Sequence, residues 1–139
     1  MEECSVKTRV IVCGSRNFTD KEICFKALDQ LLGENPNVEI ISGHAKGADQ
    51  FGEEYAALHG IPTKVFLPDW KRYGRGAGLI RNQEMLAYSK EESSLVVAFW
   101  DGKSKGTKNM IETASAEGVK VYIVFLMEKG HNTNQEGYI

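Results

Sequence analysis

At 139 residues, 42% hydrophobic and 26% charged, the chain has the size and balance of one ordinary globular domain. Its formal net charge of −2 excludes a global attraction to nucleic acid or to an anionic membrane, so any anion site has to be local. No run approaches the ~18 apolar residues needed to span a bilayer, and the acidic start Met1-Glu2-Glu3-Cys4 does not read as a secretory signal.

Five short runs, at residues 9–13, 38–41, 63–67, 95–100 and 119–125, are almost continuously apolar and rich in Val, Ile and Phe. Strands covered on both faces read this way. Four helical stretches alternate with them. The first follows Thr19-Asp20, carries Ile23, Ala27, Leu28, Leu31 and Leu32 at helical spacing, and stops at Gly33 before Pro36. The second runs over residues 48–59 with Phe51, Tyr55 and Leu58 inward and Gly60 closing it. The third spans about residues 77–88. The fourth spans about residues 107–117, with Met110, Ile111 and Ala114 inward and Gly118 as its stop. The pattern predicts one α/β domain over residues 1–139: a Rossmann-like three-layer fold whose five-stranded parallel sheet has the order 3-2-1-4-5. Residues 128–139 read as a flexible polar tail.

Three cysteines, Cys4, Cys13 and Cys24, form neither an even set nor a CxxC pair, which argues against a disulfide framework and a zinc site. Cys13 and Cys24 read as small buried hydrophobes, and a reducing cytosol is the expected compartment. His44 and His131 have no partner at metal spacing, and the sequence calls for no metal or cofactor.

Ligands of such sheets bind beyond the carboxyl ends of the strands. The four strand-to-helix loops there read Gly14-Ser15-Arg16-Asn17-Phe18-Thr19-Asp20, Ser42-Gly43-His44-Ala45-Lys46-Gly47-Ala48-Asp49, a long stretch from Asp69 to Asn82, and Asp101-Gly102-Lys103-Ser104-Lys105-Gly106-Thr107. They hold more than half of the glycines and nearly half of the Lys and Arg residues, whereas the turns at the opposite end are plainer. Glycine lets a backbone approach a ligand closely, helix N-termini favour anions, and Arg binds phosphate in a bidentate manner. No GxGxxG follows the first strand and no GxxxxGK[ST] occurs, which sets aside an ordinary NAD dehydrogenase and a Walker-type NTPase.

Within these loops Arg81 is the leading phosphate ligand, with Arg16 and Lys46 as further cations. Trp70 and Tyr73 stack on a base or pack as a lid. Thr107 either offers its N–H and hydroxyl to a phosphate or caps the fourth helix. Asp49 and Glu112 are the carboxylates expected to face the site, and Asp49 alternatively only favours its helix N-terminus. Gly14, Ser15, Ser42, Gly43, Gly47, Asn82, Ser104 and Gly106 complete the candidate ligand-binding set.

Five motifs in order carry a resemblance: Gly14-Ser15-Arg16, Ser42-Gly43-x-Ala45-x-Gly47-Ala48-Asp49, Asp69-Trp70-x-x-Tyr73-Gly74, Ala77-Gly78-x-x-Arg81-Asn82-x-x-Met85 and Gly106-Thr107-x-x-Met110-Ile111. Over residues 8–125 the chain resembles the YspA/YpsA-related branch of the SLOG superfamily, which groups SMF/DprA DNA-processing proteins with LONELY GUY (LOG) cytokinin-activating enzymes. The resemblance implies a Rossmann-like nucleotide-binding domain, with Ser104-x-Gly106-Thr107 similar to the phosphate-binding Gly-Thr of both relatives. LOG enzymes cleave the N-glycosidic bond of nucleoside monophosphates with an Arg and a Glu near PGGxGTxxE. Residues 102–112 here lack the proline, have shifted glycines, and carry Glu112 two positions late.

The expected function is therefore binding of a nucleotide or nucleotide derivative by a sensor or carrier domain. The alternatives are a phosphoribohydrolase-like nucleotide hydrolase with Glu112, Asp49 and Arg81 as catalytic candidates, and single-stranded DNA binding, which the net charge disfavours. No membrane partner is expected, and self-association through a sheet edge or helix face is compatible with a domain this small.

Overall fold

A computed structural model describes residues 7–33, 35–126 and the backbone of 137–138. The order is β1 (Thr8–Gly14), α1 (Lys21–Leu32), β2 (Val38–Ser42), α2 (Ala48–His59), β3 (Thr63–Val65), α3 (Trp70–Tyr73), a 3₁₀ turn (Gly74–Gly76), α4 (Ala77–Ser89), β4 (Ser93–Trp100), α5 (Lys105–Ala116), β5 (Lys120–Phe125) and β6 (Gly137–Tyr138). The first five strands form a parallel sheet in the order β3-β2-β1-β4-β5, and the two-residue β6 pairs antiparallel with β5. The expected α/β class and strand order are those observed. The expected tail otherwise lies outside the described residues, as do Cys4 and His131.

Alternation along β1 sends Val10 and Val12 to one face and Ile11 and Cys13 to the other. The first pair packs with Leu28, Ile40, Tyr55, Val97 and Phe99 beneath α1 and α2. The second packs with Ile41, Met85, Leu86, Val96, Ala98 and Met110 beneath α4 and α5. Helices thus cover both faces, and the chain reverses its winding between β1 and β4. Cys13 and Cys24 are buried free thiols.

Three details differ from the sequence reading. Leu58 is 72% exposed rather than inward, because α2 is centred on Gly52, where a Cβ would stand only 2.9 Å from Val12 Cβ. That close approach turns Phe51 to the margin of the buried face and Leu58 outside it. The third strand is not covered on both faces: it is the sheet edge, ends at Val65, and all three of its residues are exposed. The long third loop is not irregular throughout, since Asp69 accepts a hydrogen bond from the Arg72 N–H at 3.1 Å and caps α3.

At the end of the sheet away from the carboxyl ends of the strands, Arg9 and Glu39 form a buried ion pair at 3.0 Å. Tyr88 donates its hydroxyl to Glu39 at 2.7 Å, and the Arg9 guanidinium lies 3.8 Å from the centre of the Tyr88 ring. Burial alone would raise the Glu39 carboxyl, yet Tyr88, Lys7 and Arg9 hold it below its ordinary value. A depressed carboxyl stabilises the fold above its unfolded pKa and loses that contribution as pH falls through the folded value. Arg9→Ala leaves Glu39 buried without its main partner and is expected to cost about 3 kcal/mol, read from the urea midpoint at pH 7. Glu39→Gln should flatten the acid limb of the stability–pH profile.

Candidate functional site

Gly14 ends β1 at a point where a Cβ would lie 2.5 Å from the Phe99 carbonyl oxygen and 2.8 Å from Ala48 Cβ. Ser15 then donates its N–H to Phe99 O at 2.9 Å, while its hydroxyl accepts from the Asp101 N–H at 3.1 Å. Phe18 stacks on Phe99 at 5.2 Å between ring centres and meets Phe51 edge-on. This apolar anchor pins the loop and leaves Arg16 and Asn17 exposed. Gly47 passes close behind with φ 88°, where a Cβ would meet Ser15 O at 2.6 Å. Gly14, Ser15 and Gly47 therefore position backbone.

The second loop is held from below. Ser42 donates its hydroxyl to Glu53 at 2.6 Å and accepts from the His44 N–H at 3.0 Å, and His44 Nδ1 sits 2.9 Å from Glu53. Gly43 offers its carbonyl to Arg81 Nη1 at 2.8 Å. A Cβ on Gly43 would collide with that guanidinium and stand 3.0 Å from Asp49 Oδ2. Asp49 is buried beside them. Burial pushes its carboxyl up to about 6, against the amides of Ala45 and Gly43 and the charge of Arg81, which act the other way. Arg81 Nε is buried with no hydrogen-bond partner among the described residues.

The fourth loop is an Asx turn: Asp101 Oδ1 accepts from the N–H groups of Lys103 at 2.8 Å and Ser104 at 2.9 Å. Burial opposes them, but these amides hold the Asp101 carboxyl below its ordinary value. Ser104, not Thr107, caps α5, which starts two residues earlier than the sequence pattern implied. The Thr107 N–H and hydroxyl both turn to Ser104, at 3.4 and 3.0 Å. Asn82 ties α4 to α5 by donating to Gly106 O at 3.3 Å and Asn109 Oδ1 at 3.0 Å.

These loops enclose a cavity of about 580 Å³ beyond the β1–β4 junction. Of the sequence candidates it is lined by Gly14, Ser15, Arg16, Asp49, Trp70, Arg81, Asn82, Ser104, Gly106 and Thr107. Ser42, Gly43, Lys46, Gly47, Tyr73 and Glu112 do not line it. Ser42, Gly43 and Gly47 support the lining from behind. Glu112 does not face the site, because Thr107, Met110 and Ala114 form the inner face of α5 and residue 112 falls about 140° round from Thr107. It is two-thirds exposed and 3.9 Å from Lys108. Sequence reasoning missed Arg75, Lys103 and Asp101 in the lining, together with an apolar floor of Cys13, Met85 and Met110. Composition of the loops signalled the first three; the floor was read simply as core. The arrangement suits an anionic head among Arg16, Arg75, Arg81 and Lys103 with an apolar portion reaching Met85, Met110 or Trp70. Among the described residues no cluster of three or more metal-ligating side chains occurs, and no helix is long and apolar enough to cross a membrane.

Comparison with known proteins agrees with this architecture. A family model described as YAcAr, the YspA, cpYpsA-related SLOG family, matches residues 8–73, from β1 through α3. The Gene 61 protein of Mycobacterium phage D29 is 29% identical over 119 residues, covering 81% of this chain and 93% of that protein. The X-ray structure of DNA processing protein A (DprA) from Streptococcus pneumoniae superposes with a TM-score of 0.67 at 18% identity. That match covers 91% of this chain but 52% of DprA, so the chain spans about half the length of that relative and shares its fold. The five motifs and the family match point the same way: over β1 through α3 the chain is similar to the YspA, cpYpsA-related SLOG family, and over nearly its whole length it has the fold of DprA.

Proposed function

We propose that this domain binds a nucleotide or nucleotide derivative, as a sensor or carrier, in the cavity beyond the β1–β4 junction. The SLOG family match over residues 8–73 and the DprA-like fold support a general nucleotide- or nucleic-acid-related role. The finer reading rests on one observation: four cations, Arg16, Arg75, Arg81 and Lys103, and the N-terminal turns of α4 and α5 converge on a cavity of about 580 Å³ in a chain of net charge −2. Helix N-termini leave unpaired N–H groups and a positive dipole end, which favour phosphate. The volume lies within the range of small-molecule sites, roughly 300–1,000 Å³.

A hydrolase reading is favoured by one feature, the Asp49 carboxyl at the cavity wall. With its pKa near 6 it suits general acid work, and of the two candidate carboxylates it is the one at the cavity, Glu112 being on the outer side of α5. Release of free base from a nucleoside monophosphate, abolished in Asp49→Asn, would establish this activity. A full-length product assay without free base would leave binding alone.

Thermal unfolding against mononucleotides, dinucleotides, ADP-ribose, cyclic nucleotides and free phosphate tests the proposal. A ligand at ~100 times its dissociation constant should stabilise the native state by about 2.7 kcal/mol. The shift should shrink in Arg16→Ala and Arg75→Ala, whose side chains line the cavity from exposed positions. A folded sample that responds to no nucleotide would sink the idea. A salt slope near that of a strand, which loses roughly 10³–10⁵ in affinity between 50 and 200 mM for 6–10 contacts, would turn the reading toward single-stranded DNA.

Asp49 adds a pH signature. Its carboxyl is raised, so the stability it contributes below its unfolded pKa is lost as pH rises through about 6. That loss amounts to about 2 kcal/mol between pH 4 and pH 7 and should be absent in Asp49→Asn. Sulfate, which keeps its charge over this range, should bind more tightly at pH 5 than at pH 8 by calorimetry, and equally at both in the variant.

A further inference from the structure

The segment that carries Trp70 and Arg75 to the cavity is joined to the rest of the molecule in an unusual way. The helix α3 and the 3₁₀ turn after it bury none of their residues. Their bonds are internal: Asp69 caps the Arg72 N–H, the Tyr73 N–H reaches Asp69 O at 3.0 Å, and the Gly74 N–H closes on Trp70 O. Packing is mainly with α4, where a Cβ at Gly78 would meet Trp70 Cη2 at 4.0 Å. Gly74 at φ 57° and Gly76 have no atoms near enough to restrain a side chain there. The unit runs straight into α4, where the Ala77 N–H closes on Gly74 O, and none of its residues is buried, so it is held chiefly from that one end, as hinged elements are.

Its surface chemistry is as telling. Trp70 is 54% exposed and Leu79 is 49% exposed, and both line the cavity that holds its four cations. A half-exposed indole at the mouth of a cationic cavity offers a flat apolar face with no partner on one side. Tyr73, the other aromatic of the segment, lies outside the lining and faces Arg72, whose guanidinium is 5.2 Å from its ring centre.

We propose that residues 69–76 form a lid that folds over the bound ligand, with Trp70 stacking on a flat ring, so that the ligand class is a phosphate ester bearing an aromatic ring. This rests on the nucleotide-site reading above. Closure moves Arg75 inward with Trp70, since the two flank the same short unit. Ring and phosphate are then sensed together: a phosphate without a ring has nothing for the indole to cover, and a ring without a phosphate has no anchor among the cations.

Trypsin supplies the test, because Lys71, Arg72 and Arg75 are exposed cleavage points on the lid itself. The probes are AMP, GMP, CMP and UMP, with ribose 5-phosphate as the ringless control, and their binding is measured independently by calorimetry. The expected result is slower cleavage at residues 71–75 with a bound mononucleotide, but not with ribose 5-phosphate. In a Trp100→Phe background, which leaves Trp70 as the sole tryptophan, emission should change on the same titration. Trp70→Ala should weaken mononucleotide binding by about fivefold to hundredfold while leaving ribose 5-phosphate unchanged, and Trp70→Phe should restore most of it. Mononucleotides that bind without protecting the lid, or with the affinity of ribose 5-phosphate, would overturn the lid and leave the site standing. Failure of every probe to bind would overturn both.

Discussion

Where β1 meets β4 there is no space for a side chain, and the geometry of the site follows from that. Gly14 lies against the Phe99 carbonyl and Ala48, and the next residue converts the sheet's last rung into a loop contact through the Ser15 N–H and Phe99 O. With the backbones this close, Ser15 can reach the Asp101 N–H, and the first and fourth loops become one surface. Gly47 then passes over Ser15 O, which adds the second loop. Three loops from three strands are thereby fixed relative to one another before any ligand-facing side chain is considered. Arg16 and Lys103 stand on this platform, and Arg81 reaches it from α4 through the Gly43 carbonyl.

This division of labour explains why Ser42, Gly43 and Gly47 stay behind the lining and why the hydroxyls that reach it are already hydrogen-bonded. Ser42 holds the second loop through Glu53 and His44, and Ser104 with Thr107 closes the start of α5. Asn82 spans from α4 to α5 across the floor. Such side chains spend their hydrogen bonds on the fold. The N–H groups that remain for an anion are those of the first turns, at Lys105 and Gly106 among others, where no intrahelical acceptor exists. Arg16 and Arg75 are anchored least and so are the most adaptable of the cations.

Much of this was legible in the sequence because buried parallel strands are written as unbroken apolar runs. The runs that became β1, β2, β4 and β5 sit between helices with clear starts and stops, such as Asp20 before α1 and Gly60 after α2. The places where the reading slipped share one cause: they depend on orientation, which periodicity constrains only loosely. Leu58 shares a nominal stripe with Phe51, yet the close approach at Gly52 rotates that stripe away from the core. Glu112 belongs to the correct helix but to its outer side. The four residues of α3 are too few to show a period at all, and only Asp69 three positions before Arg72 hints at a cap. Met85 and Met110 are apolar at helical spacing whether they floor a cavity or fill a core, so sequence pattern does not distinguish the two.

A buried carboxyl at the wall of an anion site needs its own explanation. Asp49 cannot be there to attract phosphate. It stands beside the Arg81 guanidinium at Gly43, where the cation also donates to a backbone carbonyl, and the pair orients Arg81 without covering all its donors. A buried N–H with no acceptor costs about 1–3 kcal/mol, so a guanidinium held in this way is poised to gain from an incoming oxygen anion. The carboxyl meanwhile resists ionisation because burial penalises its charge more than Arg81 and two amides relieve it. Arg81 is therefore only partly neutralised by its neighbour and becomes less so as Asp49 takes up a proton. The same residue that aligns the cation thus sets how much positive potential the cavity presents, and it does so near a pH at which small changes in its surroundings alter its charge. A ligand that brings its own negative charge close to Asp49 would raise that carboxyl further and draw a proton into the site as it binds.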